Sequence, residues 1–467
     1  MLTLLGIATI AALLLLVLFR VTSVLVALTL VPVVAAVAGG FAGSLGAFAM
    51  EGIRGVTPVA ALLAFAVIYF GIMNDAGLFA PIIRGLVRVV GTDPVRIALG
   101  TAAVATVAHL DGAGASTFMV TVPAMLPLYQ RAAMNPLTLT CITALAAGTM
   151  NMLPWGGPTT RAAASLQVSA SEIFVPVIPA MLVGMAGVFL FAWRIGRQER
   201  ARLAGSPAFV DVEDAVDTSG ALPSEGDGYP ELEARDSEDL LFRASTPETR
   251  APTPSGERSR SLPRLWFFNA LLTAVTLAVL FTELVPLALV FMIASAIALV
   301  VNYPDSHEQR ERLTSHGAAA MMMVTTIFAA GLFTGVLTKS GMLASMSHDL
   351  VAVLPGIALR HFPAIMAVAS MPLSLVFDPD SFYYGLLPVL ANAAAAAGGS
   401  GVEVGRAAVL GQMTTGFPVS PLTPATFLLV GLANVDLADH QRRTIPYAFA
   451  VTLLMSLAAL ATGALRL

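Results

Sequence analysis

Residues 149–161 read TMNMLPWGGPTTR, and residues 414–426 read TTGFPVSPLTPAT. Each string sets prolines and hydroxyls into apolar surroundings, the first with paired glycines as well. Proline has no N–H to donate to a helix, so a helix entering either string must break. Within a bilayer, irregular backbone is tolerated only where it is buried in protein or lines a cavity. The chain is therefore expected to turn back at both strings as two re-entrant hairpins inside an all-α polytopic membrane protein.

Composition agrees with that reading. Of 467 residues, 57% are apolar and 12% charged, and the mean hydropathy is +0.82. Stretches such as 2–19, 21–38 and 265–281 are near the roughly 20 residues a helix needs to cross a bilayer. About 10–12 transmembrane helices are expected. The first stretch has neither a basic leader nor an Ala-x-Ala-like cleavage site and reads as a retained span. A single cysteine, Cys141, excludes an internal disulfide framework and a multi-cysteine metal site. A net charge of -4 without a basic run excludes nucleic acid as a partner. No GxxxxGK[ST] string occurs, so transport energy would come from an ion gradient rather than ATP.

The two opening strings belong to two related halves. Gly77 matches Gly341, Asp111 matches Asp378, Pro154 matches Pro418 and Pro179 matches Pro446, all in order and at a nearly constant offset. Residues 1–197 form the first transmembrane repeat and 264–467 the second. Between them, 198–263 is rich in Ser, Pro, Glu, Asp and Arg and reads as a disordered acidic linker. Arg194, Arg197, Arg200 and Arg202 at its start, and Arg258, Arg260 and Arg264 at its end, place it in the cytoplasm by the positive-inside bias. If each half crosses the membrane an odd number of times, the repeats are inverted, and alternating access follows from their pseudosymmetry.

Candidate chemistry lies at the breaks. Residues 109–117 read HLDGAGAST and 378–381 read DPDS. An aspartate near the bilayer centre costs roughly 2.5–3.5 kcal/mol on insertion scales, and binding a cation or proton is the usual reason to keep one. Asp111, Asp378, Asp380 and His109 are the candidates for proton or cation coupling. Gly112 lets a ligand approach the backbone, and Ser116, Thr117 and Ser381 offer hydroxyls. At the hairpins Asn151, Gly156, Gly157, Thr159, Arg161, Ser420 and Thr423 are candidate substrate ligands, because a half-helix N-terminus attracts an anion.

Each has a structural alternative. Asp111 can cap the following helix, and Asp378 and Asp380 can sit at a wet turn. His109 can be a packing residue, Arg161 a marker of the cytoplasmic side and Asn151 a bond between helices. Asp75 and Lys339, equivalent in the two halves, read as interfacial helix ends, and Met321–Met323 as packing. An intramembrane aspartyl protease is disfavoured, since HLDGAG and FDPDS lack a GxGD pattern, and the chain is not read as an enzyme.

Beyond these features the chain resembles the citrate-divalent metal:proton symporter family, a branch of the ion-transporter superfamily. The strings that carry the resemblance are YFGIMNDAGLF (69–79), MLPLY (125–129), LPWGGPTTR (153–161), DPDSFYYGLLP (378–388) and GQMTTGFPVSPLTPATFLLVGL (411–432). The resemblance implies proton-coupled uptake of citrate as a divalent metal complex across the bacterial cytoplasmic membrane. Mg2+ or Ca2+ would be co-transported, with no tightly bound cofactor, and Asp111 and Asp378 would meet the metal. It also implies a homodimer whose scaffold and transport regions shift like an elevator. Citrate carries about three negative charges at neutral pH, and a bound divalent ion lowers the desolvation cost of entry.

One departure stands out. The family's first acidic break commonly reads LDGDGTTT, whereas Ala113 and Ala115 stand here where an Asp and a Thr are expected. Hard cations require oxygen ligands, so another di- or tricarboxylate, another organic anion, or an ion/proton antiport is the alternative.

Overall fold

The computed structural model describes residues 1–19, 21–204, 263–282, 284–353 and 361–466, which contain helices and no strand. Two apolar helices open the chain, α1 (Leu2–Leu18) and α2 (Val24–Ala38), followed by a long α3 (Leu45–Asp75). A short α4 (Phe79–Val90) and α5 (Pro94–Ala108) lead to the first acidic break. Then come α6 (Gly114–Arg131), α7 (Pro136–Met150), α8 (Gly157–Leu166), the short α9 (Ala170–Phe174) and α10 (Ile178–Ala204).

After residue 262 come α11 (Pro263–Thr282), α12 (Leu287–Asn302), a long α13 (Ser306–Lys339), α14 (Met342–Val353) and α15 (Phe362–Leu373). A wide π-turn at Ser381–Leu386 runs into α16 (Leu387–Ala396). It is followed by α17 (Gly401–Val409), α18 (Pro424–Leu432) and α19 (Leu437–Ala461). Residues 1–203 and 261–467 make one compact unit, and 204–260 a second of which only Ala204 is described. The expected linker therefore lies almost wholly outside the described residues, as do Arg258 and Arg260; α10 continues through the 197/198 boundary to Ala204.

Among the described residues, four helical stretches are long and apolar enough to cross a membrane: Ala42–Asp75, Ala170–Ala204, Ser306–Lys339 and Leu437–Ala461. Shorter apolar helices accompany them. Helix starts are set locally. Asp93 and Asn135 cap α5 and α7, each followed by a proline whose missing N–H is not needed at that position. Ser169 and Glu172 form a reciprocal capping box on α9.

The most extensively packed pair of helices is α3 and α13. Their crossing is close because Gly52 faces Gly331 and Gly335; a methyl at Gly52 would collide with the Gly331 carbonyl. Small residues four apart allow this approach, a common basis of helix association in lipid. Ion pairs bridge both ends of the crossing. Asp75 accepts from His316 Nε2 at 2.9 Å and from Arg312 at 3.4 Å, while Lys339 pairs with Glu51. Asp75 and Lys339 thus fasten helix ends.

The two proline-containing breaks meet each other. α7 stops at Met150, and the Asn151 side chain donates from Nδ2 to the Met413 carbonyl at 2.7 Å. At Gly148 an added methyl would come within 2.7 Å of the Thr414 carbonyl. Glycine at this point lets the helix end rest directly on the other break.

Candidate functional site

The first acidic break is a tight turn. α5 ends at Ala108, a single helical turn covers His109–Asp111, and Gly112 takes the left-handed conformation at φ +73°. A side chain there would be strained and would meet Trp155. Asp111 Oδ1 accepts from the Ala113 amide at 2.9 Å, and Oδ2 accepts from the Ser116 hydroxyl. His109 is fully buried, with Nδ1 at 2.7 Å from the Thr117 hydroxyl and Nε2 at 3.3 Å from Asn151 Oδ1. Through Asn151 this chain reaches Met413, so His109, Thr117 and Asn151 tie the first acidic break to the second proline break.

The second acidic break lies between α15 and the π-turn. Asp378 Oδ1 accepts from the amides of Asp380 at 3.0 Å and Ser381 at 3.1 Å. Asp380 turns elsewhere: its Oδ1 accepts from Arg161 Nε on α8 at 2.7 Å. Arg161 also donates from Nη1 to the Gly157 carbonyl at 3.3 Å. This ion pair crosses between the two halves of the chain.

A cavity of about 320 Å³ lies against this pair, at the lower end of the roughly 300–1,000 Å³ of small-molecule sites. Its polar wall is Asp111, Gly112, Gly157, Thr160, Arg161 and Asp380. Its apolar wall comes from α3 (Leu63, Val67) and α13 (Met322, Met323, Ile327, with Thr326), and Trp155 and Tyr384 also line it. Ala113 also borders it, so an Asp at this position would add a carboxylate to the lining. The N-cap of α6, Ala113, and the first turn of α8 border it, and neither N-cap residue supplies a side-chain hydrogen bond. Helix N-termini carry partial positive charge, which suits an anion.

The remaining sequence candidates are placed elsewhere. Ser116 is engaged with Asp111, and the Thr159 hydroxyl donates to the Met152 carbonyl at 2.7 Å across the α7–α8 loop. Gly156 precedes α8 as its N-cap. Asp378 is not part of the cavity lining. Ser420 donates to the Ser374 carbonyl at 2.6 Å, within a buried network that includes Gln412. The Ser381 and Thr423 hydroxyls are buried with no hydrogen-bond partner. Thr160, Trp155, Tyr384, Met322 and Met323 line the cavity although the sequence reading did not select them. The strings around Trp155, Thr160 and Tyr384 were the available signal. The two methionines gave none.

Apolar helices throughout, with a charge-lined cavity where helix breaks from both halves converge, define a multi-pass membrane protein of the transporter class. Comparison with known proteins makes this specific. The chain belongs to the citrate transporter family, whose model matches residues 2–411. It is 42% identical over 408 residues to a citrate transporter of Bacillus subtilis (strain 168), across 87% of this chain and 86% of that one. It is 36% identical over 412 residues to the Mg2+/citrate complex secondary transporter of the same organism, across 88% and 87%. With the Alcanivorax borkumensis YdaH transporter, described as having an unusual topology, it shares the fold: TM-score 0.60 at 15% identity, covering 91% of this chain and 89% of that one. The family and the apolar helices together place the protein in the bacterial cytoplasmic membrane. Its named relatives are transporters rather than enzymes.

Proposed function

We propose that the protein is a proton-coupled secondary transporter that takes up citrate as its complex with a divalent metal ion, Mg2+ or Ca2+. The observation that carries this reading is the cavity in which Asp111 and Asp380 stand with Arg161 between the two halves. Carboxylates there suit the metal end of the complex, and Arg161 with the α6 and α8 N-termini suits the free carboxylates. The name of the Mg2+/citrate relative supports the same cargo. His109, Asp111, Asp378 and Asp380 are the groups available to couple proton movement.

An elevator-type shift fits the two walls. Charged groups sit on the break segments and α8, while α3 and α13 present mostly apolar side chains. A polar site can slide past such a wall without breaking hydrogen bonds to it. The transport region would carry both hairpins as re-entrant elements. The scaffold would hold the Gly52–Gly335 crossing and the contacts of a homodimer. Residues 1–197 and 264–467 would then act as inverted repeats, joined by a cytoplasmic linker over 198–263.

Labelled citrate uptake into proteoliposomes tests the proposal, with an acidic exterior and Mg2+, Ca2+ or a chelator outside. Gradient-dependent uptake that needs the metal is the expected result; no gradient-dependent uptake with any metal contradicts it. Ala113 on the cavity wall and Ala115 nearby favour one second reading, transport of a different di- or tricarboxylate or organic anion, or an ion/proton antiport. Competition by unlabelled carboxylates separates these.

A further inference from the structure

Of the three carboxylates in the acidic breaks, two are engaged in shaping the backbone. Asp111 holds the Ala113 amide and the Ser116 hydroxyl, and Asp378 holds the amides of Asp380 and Ser381. Asp380 holds a charge instead, the Arg161 guanidinium, and both members of that pair border the cavity. Their side chains are 17% and 29% exposed, so each depends on the other for compensation more than surface charges do. One residue further on, the Ser381 hydroxyl is buried without a partner, an oxygen in reserve beside Asp380.

We infer that the Arg161–Asp380 pair is a charge lock that opens only to a ligand carrying both signs, with Asp380 receiving the metal end and Arg161 a free carboxylate. Bare citrate would pair with Arg161 but leave Asp380 facing a second anion. A bare divalent cation would pair with Asp380 but strand Arg161. A metal-carboxylate complex satisfies both ends at once, so opening the pair leaves no charge uncompensated. The π-turn at Ser381–Leu386 directly follows Asp380, and such wide turns let a helix start change pitch at functional sites. Selection for the complex over its components would thus reside in this pair, and Asp380 rather than Asp378 would be the metal-facing carboxylate of the second half.

The inference rests on the metal-citrate reading, and titration calorimetry on the purified full chain separates the two. Mg2+ alone, citrate with a chelator, and Mg2+ with citrate are titrated in turn. The wild type should bind the complex at least about tenfold more tightly than citrate alone, a difference of roughly 1.4 kcal/mol. In Asp380→Asn, Arg161 is free to pair with citrate, and that ratio should fall to near one through tighter binding of citrate alone. If Asp380→Asn keeps the wild-type ratio, the lock is overturned while the metal-citrate reading stands. If the wild type binds neither citrate nor the complex, the reading itself fails and the lock with it. Should the variant not fold, the wild type decides alone: equal affinity for citrate and its complex overturns the lock.

Discussion

In the first acidic break Asp111 accepts from the amide of Ala113, and in the second Asp378 accepts from the amide of Asp380, so the same short turn begins both. From there they diverge. The first break passes through left-handed Gly112 into a regular helix, and its aspartate stays on the cavity wall. The second passes into a π-turn, and its capping aspartate stays off that wall while the next carboxylate, Asp380, reaches across to Arg161. A shared turn thus places charge differently according to the helical geometry it leads into. In the first half the turn-forming carboxylate also lines the cavity, and in the second the two tasks fall to two residues.

The largest effect is expected from Arg161→Gln, which removes the guanidinium that would receive a free carboxylate. Binding of the citrate complex should weaken by about 2–5 kcal/mol, the range for truncating one partner of a buried charge pair; calorimetry reads it, and a loss within error of zero would remove Arg161 from the site. Next come the two capping aspartates, compared as Asn variants. Asn keeps an oxygen for the amide contact, so both should fold. Uptake should fall about tenfold or more for Asp111→Asn, where an intramembrane charge on the cavity wall is lost, and clearly less for Asp378→Asn. Equal losses would contradict the division of tasks.

Gly112→Ala sharpens the structural side. It puts a side chain at φ +73° against Trp155 and should cost about 1–2 kcal/mol of stability, visible as a lowered thermal midpoint with no matching loss for Ala113→Gly. The smallest effect is expected from Ala113→Asp, which adds a carboxylate to the lining. The ratio of Mg2+- to Ca2+-supported uptake should change by a few fold, since the two ions differ in ligand number and geometry; an unchanged metal profile would mean that position 113 does not meet the cargo.

The breaks themselves are legible in the sequence, because proline, glycine and aspartate in apolar surroundings have strong local causes. Which groups face the cavity is not legible there. Thr159 and Thr160 are neighbours on α8, about 100° apart around the helix. Which one meets the cavity depends on the phase of α8, a tertiary property; in the loop before it Trp155 donates Nε1–H to the Leu110 carbonyl at 2.9 Å. Asp378 and Asp380 pose the same difficulty. Their roles part at the π-turn of Ser381–Leu386, which buries Phe382, Tyr383 and Tyr384 and has no distinct local signal in the sequence. Met322 and Met323 looked like packing because the cavity's second wall is set by where α13 lies relative to α8, a tertiary fact. Pro154 and Pro418, by contrast, fall in loops after helices, α7 and α17, where a proline's local effect can be read from the sequence.

Cargo is expected to occupy the cavity between the two breaks, and cysteine protection reads this out. Cys141 is fully buried, so the wild type offers a silent background. Met323→Cys, on the cavity wall, and Gln130→Cys, exposed at the end of α6, are labelled with a maleimide with and without Mg2+-citrate. Slower labelling at 323 and an unchanged rate at 130 are expected when Mg2+-citrate is present. Equal rates at 323 with and without Mg2+-citrate, in protein that still takes it up, would contradict that claim.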